Sequence, residues 1–174
     1  MKATLDAAIA VDPSTRRLVV GIGECAVSNR PGDLLVTHGL GSCIAVCVFD
    51  PQTTVAGLLH FLLPEARINP ERARVQPAVF ADTGIPLLLS VAAQHGLVRQ
   101  RAIVKLVGGA EMAVSPEVTF NTGRRNVLAA RNLLWRSGVF VAGQEVGGTA
   151  ARTLHLSVAT GRLLVFNQHA CKEL

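Results

Sequence analysis

Tyrosine is absent from this sequence, and aromatic residues make up only 4% of its 174 positions. The core must therefore be aliphatic, and there are few rings on which bases of a nucleic acid would stack. No apolar run reaches the roughly 18–20 residues that span a bilayer, so no membrane insertion is expected. The first residues, Met1-Lys2-Ala3-Thr4-Leu5-Asp6, lack the apolar stretch and small-residue cleavage site of a signal peptide, and the expected location is the cytoplasm. Charged residues are sparse too, at 17%, against 49% apolar, which excludes a disordered chain. The four cysteines, Cys25, Cys43, Cys47 and Cys171, contain no CxxC spacing, so no structural zinc site is expected and all four read as free thiols. The net charge of +5 favours acidic partners, but no basic stretch is interleaved with aromatics, and no nucleic-acid partner is expected.

What is present is one domain's length of chain with an alternation of strand-like and helix-like segments. Residues 1–16 read as a poorly defined lead-in, and 17–174 as a single domain. Arg17 to Ser28 reads as a strand pair or one bent strand with a bulge at Gly21 and Gly23. Leu34-Leu35-Val36, Ile44 to Phe49 and Val55 to Leu63 read as further strands. Residues 65–79, with three arginines and two prolines, read as an irregular exposed connection. A helix is expected from Asp82-Thr83 to Gln94, with one of those two residues as its cap and Gly96 as its stop. A strand over Ala102–Val107 and a loop over 108–121 follow. A second helix is expected from Asn121-Thr122-Gly123 to about Arg136, its apolar face formed by Val127, Leu128, Leu134 and Trp135. Val139–Val146, Arg152–Val158 and Leu163–Phe166 close the chain as strands, the last two as a hairpin. This order implies an α/β (α+β) sandwich, with a mixed, largely antiparallel sheet and two main helices packed on it.

The richest chemistry lies between Thr37 and His60. Thr37-His38-Gly39-Leu40-Gly41-Ser42-Cys43 is a glycine-rich turn that delivers a thiol to the start of an apolar strand, and His60 ends the next strand. If those strands pair about a two-residue turn at Pro51-Gln52, Cys43 and His60 stand directly opposite each other, about 4.5–5.5 Å apart at Cβ. Proline cannot adopt the positive φ of a type I′ turn, so a longer loop would shift this register. A shift of two residues keeps thiol and imidazole diagonal on one face, whereas a shift of one separates them. A facing pair suits nucleophilic catalysis, in which a neighbouring imidazolium lowers the pKa of the thiol and supplies the thiolate. The amide of Cys43, with that of Ser42 and the freedom of Gly41, would cradle an oxyanion, and Thr37 would orient the imidazole. The competing reading is structural: most cysteines in apolar strands are inert small hydrophobes, and Cys25, Cys47 and Cys171 are read that way.

At these residues the chain resembles the CheD family, receptor glutamine deamidases of bacterial chemotaxis. The likeness covers about residues 17–166. It is carried by Leu40-Gly41-Ser42-Cys43-Ile44-Ala45-Val46-Cys47, His60-Phe61-Leu62-Leu63-Pro64, Ala81-Asp82-Thr83, Lys105-Leu106-Val107-Gly108-Gly109-Ala110, Phe120-Asn121-Thr122-Gly123-Arg124-Arg125-Asn126 and Val146-Gly147-Gly148. The resemblance implies Cys43, His60 and Thr37 as the catalytic set, and an α/β sandwich related to the deamidase domains of some bacterial toxins. It implies hydrolysis of glutamine side chains to glutamate on the cytoplasmic helices of chemoreceptors, through a thioester and without metal or organic cofactor. It also implies a CheC-type phosphatase as a second partner.

The sequence departs from the family pattern at His38, which is usually apolar. It is read as an exposed histidine, with electrostatic tuning of Cys43 as the alternative. Glu145 and Ala151 also differ, where the family tends to have Asp and Gly. Gly123-Arg124-Arg125-Asn126 is either an anion-holding helix start or a plain cap with solvated arginines. Two other functions remain open at this point: a non-catalytic adaptor that binds receptors or CheC, and a Cys–His hydrolase of small amides or esters.

Overall fold

The structure, a computed structural model, describes residues 15–111, 121–168 and 170–174. Strands β4 (Ile44–Asp50) and β5 (Val55–Phe61) are buried along their whole length, so each is a nearly unbroken apolar run rather than an alternating one. They lie at the centre of a five-stranded sheet, between β2 (Glu24–Ser28) at one edge and β6 (Ile103–Gly108) with β7 (Val141–Val146) at the other. A second five-stranded sheet contains, in spatial order, β1 (Arg16–Val19), β3 (Asp33–Leu40), β8 (Arg152–Ser157), β9 (Leu163–Phe166) and β10 (Cys171–Glu173). Most pairs are antiparallel; β1–β3 and β6–β7 are parallel. Helices α1 (Pro70–Val75), α2 (Ala81–Gln94) and α3 (Thr122–Arg136) complete the described elements of any length.

Two apolar cores follow from this layering. Ile85, Leu88, Leu89 and Ala92 of α2, with Val127, Ala130 and Leu134 of α3, pack on Ile44, Val46, Val48 and Leu59 from one face of the central strands. The alternate residues Cys43, Ala45, Cys47 and Leu58 turn the other way and meet Leu35, Leu154, Leu156 and Leu163 of the second sheet. Each fully buried leucine or isoleucine is worth about 1.5–3 kcal/mol of transfer free energy. The Cys43 side chain therefore faces the seam between the sheets, not the helices.

The expected α+β sandwich with two main helices holds, with its strands divided over two sheets. Arg17–Ser28 is not one bent strand: it holds two, β1 and β2, which belong to different sheets and so do not pair with each other. Strand β1 already includes Arg16, one residue inside the expected lead-in; residues 1–14 lie outside the described residues. The connection over 65–79 is more regular than expected. The Asn69 side chain accepts a hydrogen bond from the Arg72 amide at 3.0 Å and Pro70 fills the first position, which starts α1.

Helix α2 begins after Phe80 without a side-chain cap. Asp82 instead accepts the Ala66 amide, and the Thr83 hydroxyl donates to the Pro77 carbonyl, so both fasten the preceding loop. The buried stripe of α3 is Gly123, Asn126, Val127, Ala130 and Leu134, at helical spacing. Leu128 and Trp135, expected on that face, are exposed. Of the loop expected over 108–121, residues 112–120 lie outside the described residues.

Candidate active site

The β4–β5 connection settles the register. Asp50 pairs with Val55 across a four-residue loop, Pro51–Thr54, in which Thr54 has φ of 52°. His60 is consequently opposite Ala45, and Cys43 is not its direct partner. The shift is two residues, because proline excludes the tight two-residue turn. Cys43 and His60 remain diagonal neighbours on the same face, a spacing of about 7–8 Å between backbone positions that side chains can bridge.

Thr37 reaches the same place from the other sheet. Its strand, β3, lies across the seam, and the Thr37 side chain is fully buried. Thr37 Oγ1 donates to the Val20 carbonyl at 2.6 Å and lies 2.8 Å from His60 Nδ1. Since the hydroxyl proton is committed to Val20, Nδ1 must carry a hydrogen and donate it to Thr37. That choice leaves Nε2 as the unprotonated ring nitrogen, buried and without a hydrogen-bond partner. A buried imidazole with an unmet acceptor is a base awaiting a proton.

The electrostatics keep both groups neutral at rest. Burial lowers the His60 pKa to about 4, against smaller opposing effects from the Val20 backbone and Glu24. Burial likewise raises Cys43, and the residue's own amide N–H, beside the sulfur, partly opposes it. The structure therefore favours thiol plus imidazole over the preformed thiolate–imidazolium pair expected from sequence. Cys47, on the same strand face, is buried and pushed up to about 12. The Cys25 pKa is also raised by burial, and Cys171 lies on the exposed edge strand β10.

Backbone contacts fix the position of Cys43. The Cys43 carbonyl accepts the Gly109 amide and the Gly41 carbonyl accepts the Ala110 amide, both at 2.8 Å. Gly108 has φ of 116°, and a Cβ there would stand 2.2 Å from the Cys43 carbonyl oxygen, so only glycine lets these strands close. Gly23 plays the matching part for the histidine: its amide donates to the His60 carbonyl at 2.7 Å, and its own Cβ would meet Val79 at 2.5 Å.

Gly41 and Ser42 form the turn before the thiol. The Gly41 amide donates to the Gly39 carbonyl at 2.9 Å and so is not free to donate to an oxyanion. His38 is exposed, 3.5 Å from the Thr153 hydroxyl, on the side of β3 away from the seam. Arg124 and Arg125 are exposed at the start of α3, and the Arg124 amide is taken by Glu111 at 3.0 Å, so the helix start is capped from within the chain.

Asn126 was singled out only as part of a helix start. It is fully buried, and its Nδ2 donates to both the Ser42 and the Leu62 carbonyls at 2.9 Å. An asparagine inside a helical pattern carries no signal of such a role, since it depends on two loops meeting the helix from elsewhere in the chain. Among the described residues no group of three or more His, Cys, Asp or Glu side chains could hold a metal ion, and no helix is long and apolar enough to cross a membrane.

In this two-sheet α+β fold the Thr37 hydroxyl and the His60 imidazole meet across the seam, with Cys43 on the same face of the central strands, a set of groups able to support covalent chemistry at a cysteine. The family model for CheD chemotactic sensory transduction matches residues 62–167. The chain is 42% identical over 158 residues to the probable chemoreceptor glutamine deamidase CheD of Solibacter usitatus, covering 91% of this chain and 93% of that one. It is 40% identical to the probable chemoreceptor glutamine deamidase CheD 1 of Syntrophus aciditrophicus, over 85% and 92% of the two chains. It is 43% identical to the corresponding CheD 2 of Anaeromyxobacter dehalogenans, over 85% and 92%. The chain belongs to the CheD family.

Proposed function

We propose that this protein hydrolyses glutamine side-chain amides of chemoreceptors to glutamate, with Cys43 as nucleophile, His60 as acid and base, and Thr37 as orienting group. The observation that carries the reading is the buried Val20–Thr37–His60 chain of hydrogen bonds. It commits Nδ1 and leaves Nε2 free on the face that bears Cys43. Membership of the CheD family supplies the substrate class, as its relatives bear the name chemoreceptor glutamine deamidase.

In the first step the Cys43 sulfur bonds to the amide carbon while its proton passes to His60 Nε2. The carbonyl oxygen becomes an oxyanion, held by the Cys43 amide and by that of Ser42. The C–N bond then breaks, His60 returns the proton to the leaving nitrogen, and ammonia departs from a thioester. Water attacks the thioester and gives a proton to His60. The C–S bond breaks, the sulfur regains its proton and glutamate is released. Every proton in this cycle moves between Cys43, His60, substrate and water.

The substrate on this reading is the helical cytoplasmic part of a chemoreceptor, which places the protein in the cytoplasm, and a CheC-type phosphatase is a second partner. Residues 17–174 act as one catalytic domain. The test is ammonia release from a glutamine-containing receptor fragment by wild type and by Cys43→Ala. Release by the wild type and loss of at least about 1,000-fold in the variant is expected. Equal release would sink the proposal, and receptor signalling unchanged by Cys43→Ala would identify an adaptor instead.

A further inference from the structure

The Ser42 carbonyl and the Cys43 N–H are two ends of one peptide unit. In a planar trans peptide they point in opposite directions, so whatever fixes one aims the other. The Ser42 carbonyl is fixed by Asn126 Nδ2, which at the same time holds the Leu62 carbonyl, two residues beyond His60. One carboxamide from α3 thus grips the loop that precedes the thiol and the strand end that follows the imidazole. The pairing of β4 with β5 also ties these two segments, and the amides of Gly109 and Ala110 hold the first of them.

We propose that Asn126 is a positioning residue for the reaction: by holding the Ser42 carbonyl it aims the Cys43 N–H at the oxyanion, and by holding Leu62 it fixes that donor relative to His60. This inference rests on the cysteine–histidine reading above and adds a residue which touches neither substrate nor reacting atoms. A merely structural asparagine would leave two buried carbonyls unpaired when removed and would lower stability without a particular effect on the oxyanion. The Asn126 Oδ1 is itself buried and unpartnered.

The experiment uses the full chain, wild type and Asn126→Ala, with three readouts. Ammonia release from a receptor fragment should show kcat reduced by about 10- to 100-fold with KM changed by less than about twofold. Binding of a peptide aldehyde in place of the glutamine, which adds the Cys43 sulfur to a carbonyl and develops charge on its oxygen, should weaken by a similar factor. Alkylation of Cys43 by iodoacetamide, a displacement that creates no oxyanion, should keep its rate and its pH profile.

Unchanged kcat in a folded Asn126→Ala protein would overturn the inference, and so would alkylation that falls in step with kcat. If the variant does not fold, deuterium exchange of the Asn126 side-chain amide in the wild type decides: slow exchange is expected from two buried hydrogen bonds, and rapid exchange overturns the clamp. A wild type that releases no ammonia would instead remove the deamidase reading and this inference with it.

Discussion

Thr37 shows how much one hydroxyl determines. It has a single proton and gives it to Val20, so His60 has no choice of tautomer while that bond lasts. Thr37→Val keeps the shape and removes the acceptor, and kcat for ammonia release should fall about 100-fold, with Thr37→Ser recovering most of it. The neutral resting state gives a second expectation. With Cys43 raised by burial, iodoacetamide should alkylate it increasingly only above the ordinary thiol range near about pH 8.5, and a plateau near neutrality would reveal a thiolate pair instead. Turnover should rise with pH through about 4 as His60 loses its proton, since only the neutral ring accepts one. At this scale the sequence was informative: a thiol beside a glycine turn, an imidazole seventeen residues on and a threonine six before are visible as spacing. Asn126 was not, because nothing local distinguishes a clamp from a polar residue on a helix.

At the scale of elements, β4, β5 and β6 meet beside Cys43, and glycine makes the meeting possible. Gly108→Ala would drive a methyl group into the Cys43 carbonyl and strain a backbone at φ of 116°. It should cost at least about 2 kcal/mol in urea unfolding and remove activity out of proportion to that loss, because the displaced residue is Cys43. The register error in the sequence reading belongs here as well. Strand identities were legible from apolar runs, but pairing depends on loop geometry, and Pro51 with a left-handed Thr54 gives four loop residues in place of two. The face survived the error because the slip was even. Helix α1 lies within the stretch read as an irregular connection, although Asn69-Pro70 is a start signal. The exposed Leu128 and Trp135 were chosen for being apolar, whereas the buried stripe follows spacing and includes a glycine and an asparagine.

For the whole molecule, protonation links the site to stability. His60 and His155 are each lowered to about 4, mainly by burial, with Arg17 and His38 adding to the effect at His155. Their unfolded-state values lie near about 6.5, so between those limits the unfolded chain binds more protons. Their contribution is therefore present above about pH 6.5 and is lost as pH falls towards 4. Urea midpoints should drop over that window, and His155→Phe should flatten part of the drop. Asp50 acts lower down: burial raises its pKa, but Arg101 and the amides of Val98 and Gln52 outweigh this and hold it at about 2. Its contribution is full above about pH 3.9 and is lost as pH falls through 2. The division into two sheets was the least legible property of all. It rests on β3 pairing with β8, more than a hundred residues away, and no local pattern encodes which distant strand a given strand will meet.

Because Thr37 sits on one sheet and Cys43 and His60 on the other, the reacting set behaves as a caliper laid across the sandwich. The 2.8 Å contact between Thr37 and His60 closes only when Leu35, Leu58, Leu154 and Leu156 fill the gap between the sheets to their full depth. A chain whose strands have formed but whose layers have not yet settled would carry Thr37, Cys43 and His60 and still lack the contact between the sheets.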